Sequence, residues 1–242
     1  MEPLWHSIVQ GLHGIGIHLD DRAAGSIAAA GTQVSGAMDL PSLLALAAAL
    51  GWASGMRLYA VVFITGAAGY LGWVPLPTGL QVLQNPIVMT VAGLMVAVEF
   101  FADKIPALDS LWDLVHTFIR IPAGAALAAG VFGGDSVTWA TVAGLLGGTL
   151  AATAHTAKAT TRAAVNTSPE PFSNVGLSLL GDLSVPALLW LAWEYPVWFF
   201  VALAVSVVVA LVLTAVLFNF LRLLWRRLTG RPDPAPTPVL PR

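Results

Sequence analysis

Six long apolar segments, separated by short polar stretches, dominate this sequence of 242 residues. A membrane-spanning helix needs about 20 apolar residues. Only 10% of the residues are charged, against about 25% in soluble domains, and the mean hydropathy is +0.80. The sequence therefore predicts an all-α, polytopic integral membrane protein with about six transmembrane helices. The segments are Ser42–Gly72, Pro86–Phe101, Ile121–Phe132 (extendable backwards through Leu114–Arg120), Val137–Ala154, Phe172–Trp193 and Val197–Leu221.

The first segment is too long for one simple span and is interrupted by Gly51, Gly55 and Arg57. It forms either one long, broken helix or a short re-entrant piece followed by a span. Three regions follow from composition: an amphipathic surface segment and linker at 1–39, a transmembrane domain at 40–228, and a disordered, Pro-rich cytoplasmic tail at 229–242.

The Lys and Arg positions predict the orientation, because basic loops stay in the cytoplasm. Basic residues follow the last span, and with six spans every other basic residue also falls on the cytoplasmic side. The loops near Pro75–Gln84, Gly133–Ser136 and Glu194–Tyr195 contain no Lys or Arg. We expect a bacterial inner-membrane protein with both termini in the cytoplasm. Two three-helix halves would then have opposite orientations, as in inverted-repeat transporters.

Ionisable residues in membrane segments are costly and often functional. Glu99 and Asp103 are four residues apart and share a helix face. They form either a carboxylate pair that binds a cation or proton, or, for Asp103, an ion pair with Lys104 near the headgroups. Arg57 either faces a substrate anion, pairs with Glu99, or extends to the cytoplasmic surface and fixes topology.

A polar stripe precedes the third span. Asp109, Asp113, His116 and Arg120 follow at spacings of 4, 3 and 4, which places them on one helix face. Two carboxylates and a His could hold a divalent ion or a phosphate–metal complex. Alternatively, Ser110 and Asp113 form a capping box, and the stripe is the polar face of an amphipathic cytoplasmic helix.

Asp182 lies well inside the fifth apolar segment, next to Gly181, and is the strongest single candidate. Its alternative role is a salt bridge to a neighbouring helix. Asn174 lies at the start of the same segment, where a helix cap is the simpler explanation. The segments Ala102–Pro106 and Gly181–Pro186 both place Asp after a small residue and before Pro, which is a faint repeat signal.

Three motifs resemble the bacterial and plastid membrane family catalogued as domain of unknown function 4126, over about residues 40–221. They are Glu99-Phe-Phe-Ala-Asp-Lys-Ile-Pro-Ala-Leu-Asp-Ser-Leu-Trp-Asp113, His116-Thr-Phe-Ile-Arg-Ile-Pro-Ala-Gly124 and Asn166-Thr-Ser-Pro-Glu-Pro-Phe-Ser-Asn174. This resemblance implies a polytopic membrane protein. Glu99 to Lys104 is also similar to the Glu-x-Gly-Asp-Lys signature of inverted-repeat cation exchangers, with one extra residue before Asp103 and with Ser178 where the second half would carry Glu.

The first functional hypothesis is a small secondary transporter or channel-like protein. It would move a cation or a proton-coupled small solute through the intramembrane carboxylates, with no enzymatic activity. The alternatives are a non-catalytic structural or assembly factor and a Mg²⁺-dependent enzyme acting on lipid or polyprenyl phosphates. The sequence has no cysteine, which excludes thiol chemistry. Its net charge of −2 does not favour binding of nucleic acid. We expect no cofactor other than a bound mono- or divalent cation. Expected partners are membrane lipids and a small ion or solute, and a homo-oligomer is compatible with the sequence.

Overall fold

The structure is a computed structural model. It describes residues 38–105, 108–133, 136–167 and 171–229, without the side chains of residues 171 and 174. The N-terminal segment and most of the tail therefore lie outside the described residues. Within these ranges the chain forms six α-helices and one 3-10 helix, with no strand. They are α1 (Leu40–Tyr70), the 3-10 helix (Thr78–Gln84), α2 (Pro86–Ala102), α3 (Leu108–Phe132), α4 (Val137–Val165), α5 (Pro171–Glu194) and α6 (Pro196–Leu228).

The helices have the length and apolarity of an all-α polytopic membrane protein. Five of those described, all except α2, are long and apolar enough to cross a membrane. The 3-10 helix and α2 meet the same criterion together and are bent by 68° relative to each other. Exposed Leu, Val, Phe and Trp side chains cover the outside of the bundle, as expected where lipid rather than water surrounds it.

Helix α1 forms the centre of the bundle and contacts α3, α4 and α5. Asp39 caps its first turn by accepting a hydrogen bond from Ser42 N. The helix is broken at Arg57, whose backbone is extended (φ −149°, ψ 83°). Of the two interpretations of the first segment, the long, broken helix is the one that the structure contains.

Small residues bring α1, α3 and α4 close together. A Cβ on Gly51 would lie 2.6 Å from Gly147 Cα, and one on Gly55 would overlap the carbonyl oxygen of Ala151. A Cβ on Gly124 would meet the Ala151 side chain at 2.7 Å. This close approach is the packing that small-xxx-small spacings permit in membranes. It holds the polar faces of the three helices near one another.

Candidate functional site

Ten charged side chains from the turns and helices around α1 form one connected set, which we call the ion-pair network. It contains five carboxylates and five basic groups, so its formal charges cancel. Every member lies within 4 Å of an oppositely charged partner. The members are Glu99, Asp103, Asp109, Asp113 and Asp182 with Arg57, Lys104, Arg120, Lys158 and Arg162.

Arg57 lies at the break in α1 and joins two other parts of the chain. Its Nη2 lies 2.9 Å from Asp103 Oδ2 and 2.9 Å from Asp182 Oδ1, and it also donates to the Ser178 hydroxyl at 3.0 Å. The side chain is only 4% exposed. Extension to the membrane surface and pairing with Glu99 were therefore wrong, whereas the salt bridge predicted for Asp182 is confirmed. Asp182 is itself 23% exposed, so it is less buried than the sequence suggested.

Asp103 has three basic partners and is fully buried. Besides Arg57, it contacts Lys158 at 3.3 Å and Arg162 at 3.1 Å. The ion pair expected between Asp103 and Lys104 was wrong, because neighbours in a helical turn project in different directions. Lys104 instead reaches Asp182 at 3.7 Å.

Lys104 lies in the turn after α2, with its ammonium over the Phe100 ring. Burial lowers the pKa of this ammonium below its usual value, and the nearby carboxylate of Asp182 opposes that effect.

Arg120 binds two further carboxylates of the network, Glu99 and Asp113. Its guanidinium donates to Glu99 and, at 2.7 Å, to Asp113. All three side chains are buried. Lys158 approaches Asp113 at 3.3 Å and also donates to the carbonyl of Met56 at 3.0 Å. That carbonyl precedes the break in α1, so Lys158 satisfies a backbone acceptor next to the irregular residue.

Two histidines beside the network hydrogen-bond to side chains of other helices. His116 Nδ1 donates to the carbonyl of Trp112 at 2.8 Å, and its Nε2 lies 3.1 Å from the Tyr59 hydroxyl. Thr117 donates to a backbone carbonyl, so its hydroxyl accepts from His155 Nε2 at 2.7 Å. His155 Nδ1 then accepts from Arg120 at 3.3 Å.

The divalent-ion site predicted from the polar stripe is not formed. Asp109 forms an ion pair with Arg162, and Asp113 forms one with Arg120. His116 is hydrogen-bonded to Tyr59. Across the described ranges, no group of three acidic or histidine side chains converges as metal ligands would.

The stripe itself is confirmed as one face of a helix, but it faces inward. Asp109, Asp113, His116 and Arg120 are all buried in the bundle. The opposite apolar face is exposed, with Phe118 at 80%. The interpretation of a cytoplasmic helix with a water-facing polar side was therefore wrong. A membrane reverses the usual rule, because polar groups must find partners inside the protein.

Asp109 connects the network to the end of α4. It contacts Arg162 at 3.3 Å and accepts two bonds from the Asn166 amide at 3.1 and 3.2 Å. It also accepts from the backbone of Ser110, so the capping box of Ser110 with Asp113 was wrong. Asn174 lies in the first turn of α5, and its side chain is outside the described residues.

The basic residues of α4, Lys158 and Arg162, supported the predicted topology but were not among the predicted site residues. Lys158 and Arg162 nevertheless contact four of the five carboxylates between them. The available signal was their spacing: His155, Lys158 and Arg162 follow at intervals of 3 and 4, like the stripe on α3. Ser178 and Asn166 carried no such signal.

A cavity of about 380 Å³ adjoins the network. It lies between α1, α4, α5 and α6, where α4 and α5 make few contacts with each other. Its walls are largely apolar, and Arg57, Lys158 and Arg162 line it together. Small residues, among them Ala157, Gly181 and Ser184, leave this space unfilled.

The fold and the network can be compared with known proteins. No curated protein and no solved structure matches the chain. One family does match, over residues 44–215, which contain the helix break and all ten members of the ion-pair network. The chain belongs to the family described as Domain of unknown function (DUF4126).

Proposed function

We propose that this protein is a small secondary transporter that couples movement of a solute to a proton or cation bound by the ion-pair network. One observation carries the proposal: Arg57, at a helix break, binds carboxylates from two other parts of the chain, Asp103 and Asp182. A basic group shared between two acids can change partner when one acid is neutralised. Ion binding would thereby bias the positions of the elements that carry these acids.

The cost of the network supports a functional role. Each charge at the centre of a membrane helix costs about 2.5–3.5 kcal/mol on insertion scales, and buried ion pairs often stabilise a protein no more than apolar residues of similar volume. The ten charges of the network include both lysines of the chain, and those within the helices carry this cost. Packing alone does not require them.

A charged group with several oppositely charged partners can lose one and keep the others, so a change of ion-pair partner costs little free energy. Asp103 has three basic partners, and Lys158 has three acidic partners. Within the described part of the chain, Glu99 Oε2 and Asp103 Oδ1 are buried and have no hydrogen-bond partner. Such oxygens are suited to accept a proton or contact a cation without loss of an existing bond.

The broken helix and the motifs of Asp103 and Asp182 favour the same function. Broken helices at midmembrane carry substrate and ion sites in many transporters. The two Asp residues occupy similar small-Asp-Pro motifs in the two halves of the chain and both contact Arg57. This supports an arrangement of two inverted three-helix halves around one shared basic residue.

We infer the location from the same charges. Arg222, Arg226 and Arg227 lie at the C-terminal end of α6, which favours a bacterial inner membrane protein with both termini in the cytoplasm. The network then lies toward the cytoplasmic ends of α3 and α4. Expected partners are membrane lipids and the transported ion or solute.

Proteoliposomes that contain a pH-sensitive dye test the proposal. A pH gradient is imposed with Na⁺, K⁺ or Mg²⁺ in turn, and we expect proton flux above protein-free vesicles with at least one ion. Glu99→Gln and Asp182→Asn should abolish that flux. Glu194→Gln removes an exposed acid at the end of α5 that lies outside the network, and it should leave the flux unchanged. Normal flux in both network variants, or no flux in wild type, would contradict the proposal.

The balance of charge also supports a second candidate, a non-catalytic assembly factor. Five acids and five bases cancel, so the network could instead fix the register of the helices. In that case the network variants should lose thermal stability and a co-purifying membrane partner, while wild type shows no ion flux.

A further inference from the structure

The cavity beside the network has two chemically different ends. Arg57, Lys158 and Arg162 form the basic end, and Leu177, Leu180, Leu188, Val209 and Leu213 belong to the apolar walls. Among the described residues that line it, none is acidic. None of the carboxylate partners of the three bases is among the residues that line the cavity, so the charged groups nearest a molecule in it are cationic.

Arg57 has an unused donor at this end. Its Nε has no hydrogen-bond partner within the described ranges, although the residue is only 4% exposed. This Nε lies beside Gly181, another residue that lines the cavity, where an added Cβ would be 3.6 Å from it. A buried donor without an acceptor is unfavourable, and an anionic oxygen would satisfy it.

We propose that the cavity binds an amphipathic anion, consisting of one carboxylate or phosphate headgroup on a single hydrocarbon chain. The headgroup would contact Arg57, Lys158 and Arg162, which present charge-assisted donors suited to such oxygens. The chain would lie against the leucine and valine walls and make van der Waals contacts there. The volume of about 380 Å³ lies within the usual range for small-molecule sites.

Hydroxyls along the walls extend the site. Thr161 lies on α4, Ser184 on α5 and Ser206 on α6, and all three line the cavity. Binding of the anion does not require transport. This proposal rests on the cavity alone, so its failure would leave the proposed function standing, and the reverse also holds. If both hold, the anion is the solute, and it would compete with Asp103 for the same three bases.

Equilibrium binding to the full chain in phosphatidylcholine nanodiscs tests the site, with empty nanodiscs subtracted. The probes are radiolabelled dodecanoate and dodecyl phosphate, with dodecanol as the neutral comparison. We expect saturable binding of at least one anion, about tenfold or more tighter than the alcohol, because charge-assisted hydrogen bonds are lost with the headgroup. The two anions distinguish a carboxylate from a phosphate site.

Two variants locate the binding. Ala157→Phe fills the cavity from α4 without removal of a charge, and Ser184→Phe fills it from α5 should the first variant fail to fold. Each should weaken binding by about tenfold or more, since the chain loses its space. Thr156→Phe adds the same ring at an exposed neighbouring position that does not line the cavity, and it should bind normally. No saturable binding, equal binding of dodecanol, or normal binding in a folded cavity-filling variant would overturn the proposal.

Discussion

Arg120 keeps two buried carboxylates paired, so its loss should be severe. With Arg120→Met, Glu99 loses its close partner and, among the described residues, retains only Lys158 at 3.9 Å, whereas Asp113 retains Lys158 at 3.3 Å and Arg162 at 3.7 Å. Breaking a buried ion pair from one side costs about 3–5 kcal/mol. We therefore expect a strongly lowered thermal unfolding midpoint for the detergent-purified protein.

A double variant separates charge imbalance from lost packing. Glu99→Gln together with Arg120→Met removes one charge of each sign, so it should be less destabilised than the sum of the two single variants. Strict additivity of the midpoint losses would show that the two side chains do not depend on each other, contrary to their direct contact in the structure.

Some of this site was accessible from residue spacing, and some was not. Helical periodicity placed Asp109, Asp113, His116 and Arg120 on one face, because that depends only on local geometry. The periodicity did not show what this polar face contacts. The same pattern fits a face exposed to water and a face buried against charged partners inside the protein. The partners of Arg57 are 46 and 125 positions away at Asp103 and Asp182, and pairing over such separations depends on the packing of whole helices.

At the scale of elements, the packing of α1 against α4 depends on the absence of a side chain at Gly55. Gly55→Ala would place a Cβ on the carbonyl oxygen of Ala151, and a backbone atom cannot move aside as a flexible side chain does. Overpacking of this kind costs about 1–3 kcal/mol. We expect a lower unfolding midpoint, with α1 displaced from α4.

Gly176 offers the matched control for that substitution. It lies in α5, where an added Cβ would meet none of the described residues within 4 Å, and Ala is favoured over Gly in a helix by about 0.5–1 kcal/mol. Gly176→Ala should therefore leave the midpoint unchanged or raise it. Equal losses in the two variants would mean that close approach is not what Gly55 provides.

The inward polar face of α3 predicts that its exposed face meets lipid. The chain contains no cysteine, so a single Phe118→Cys substitution can carry one spin label. In proteoliposomes that label should collide more often with dissolved oxygen, which concentrates in the bilayer, than with a water-soluble nickel complex. A label at Thr229→Cys, just beyond α6, should show the opposite preference. Preferential contact of the Phe118 label with nickel would place this face of α3 in water.

At the scale of the whole molecule, the number of spans depends on α2. Its 17 residues extend about 25 Å at 1.5 Å per residue, which is short of a hydrocarbon core of about 30 Å. A crossing would need the preceding 3-10 helix or a locally thinned bilayer. The network offers a reason for the short length, because α2 ends where Glu99 and Asp103 reach their basic partners.

Two exposed threonines distinguish six spans from five. Thr78 precedes α2 and Thr167 follows α4, so three helices lie between them. If all three cross, the two positions are on opposite sides, with Thr167 in the cytoplasm by the positive-inside rule. In spheroplasts, a membrane-impermeant maleimide should label Thr78→Cys at once and Thr167→Cys only after permeabilisation. Labelling of both from the same side would mean that α2 turns back inside the membrane, and the reverse pattern would invert the orientation. An inverted orientation would also change the side from which a proton reaches the network, because the network lies toward one end of α3 and α4.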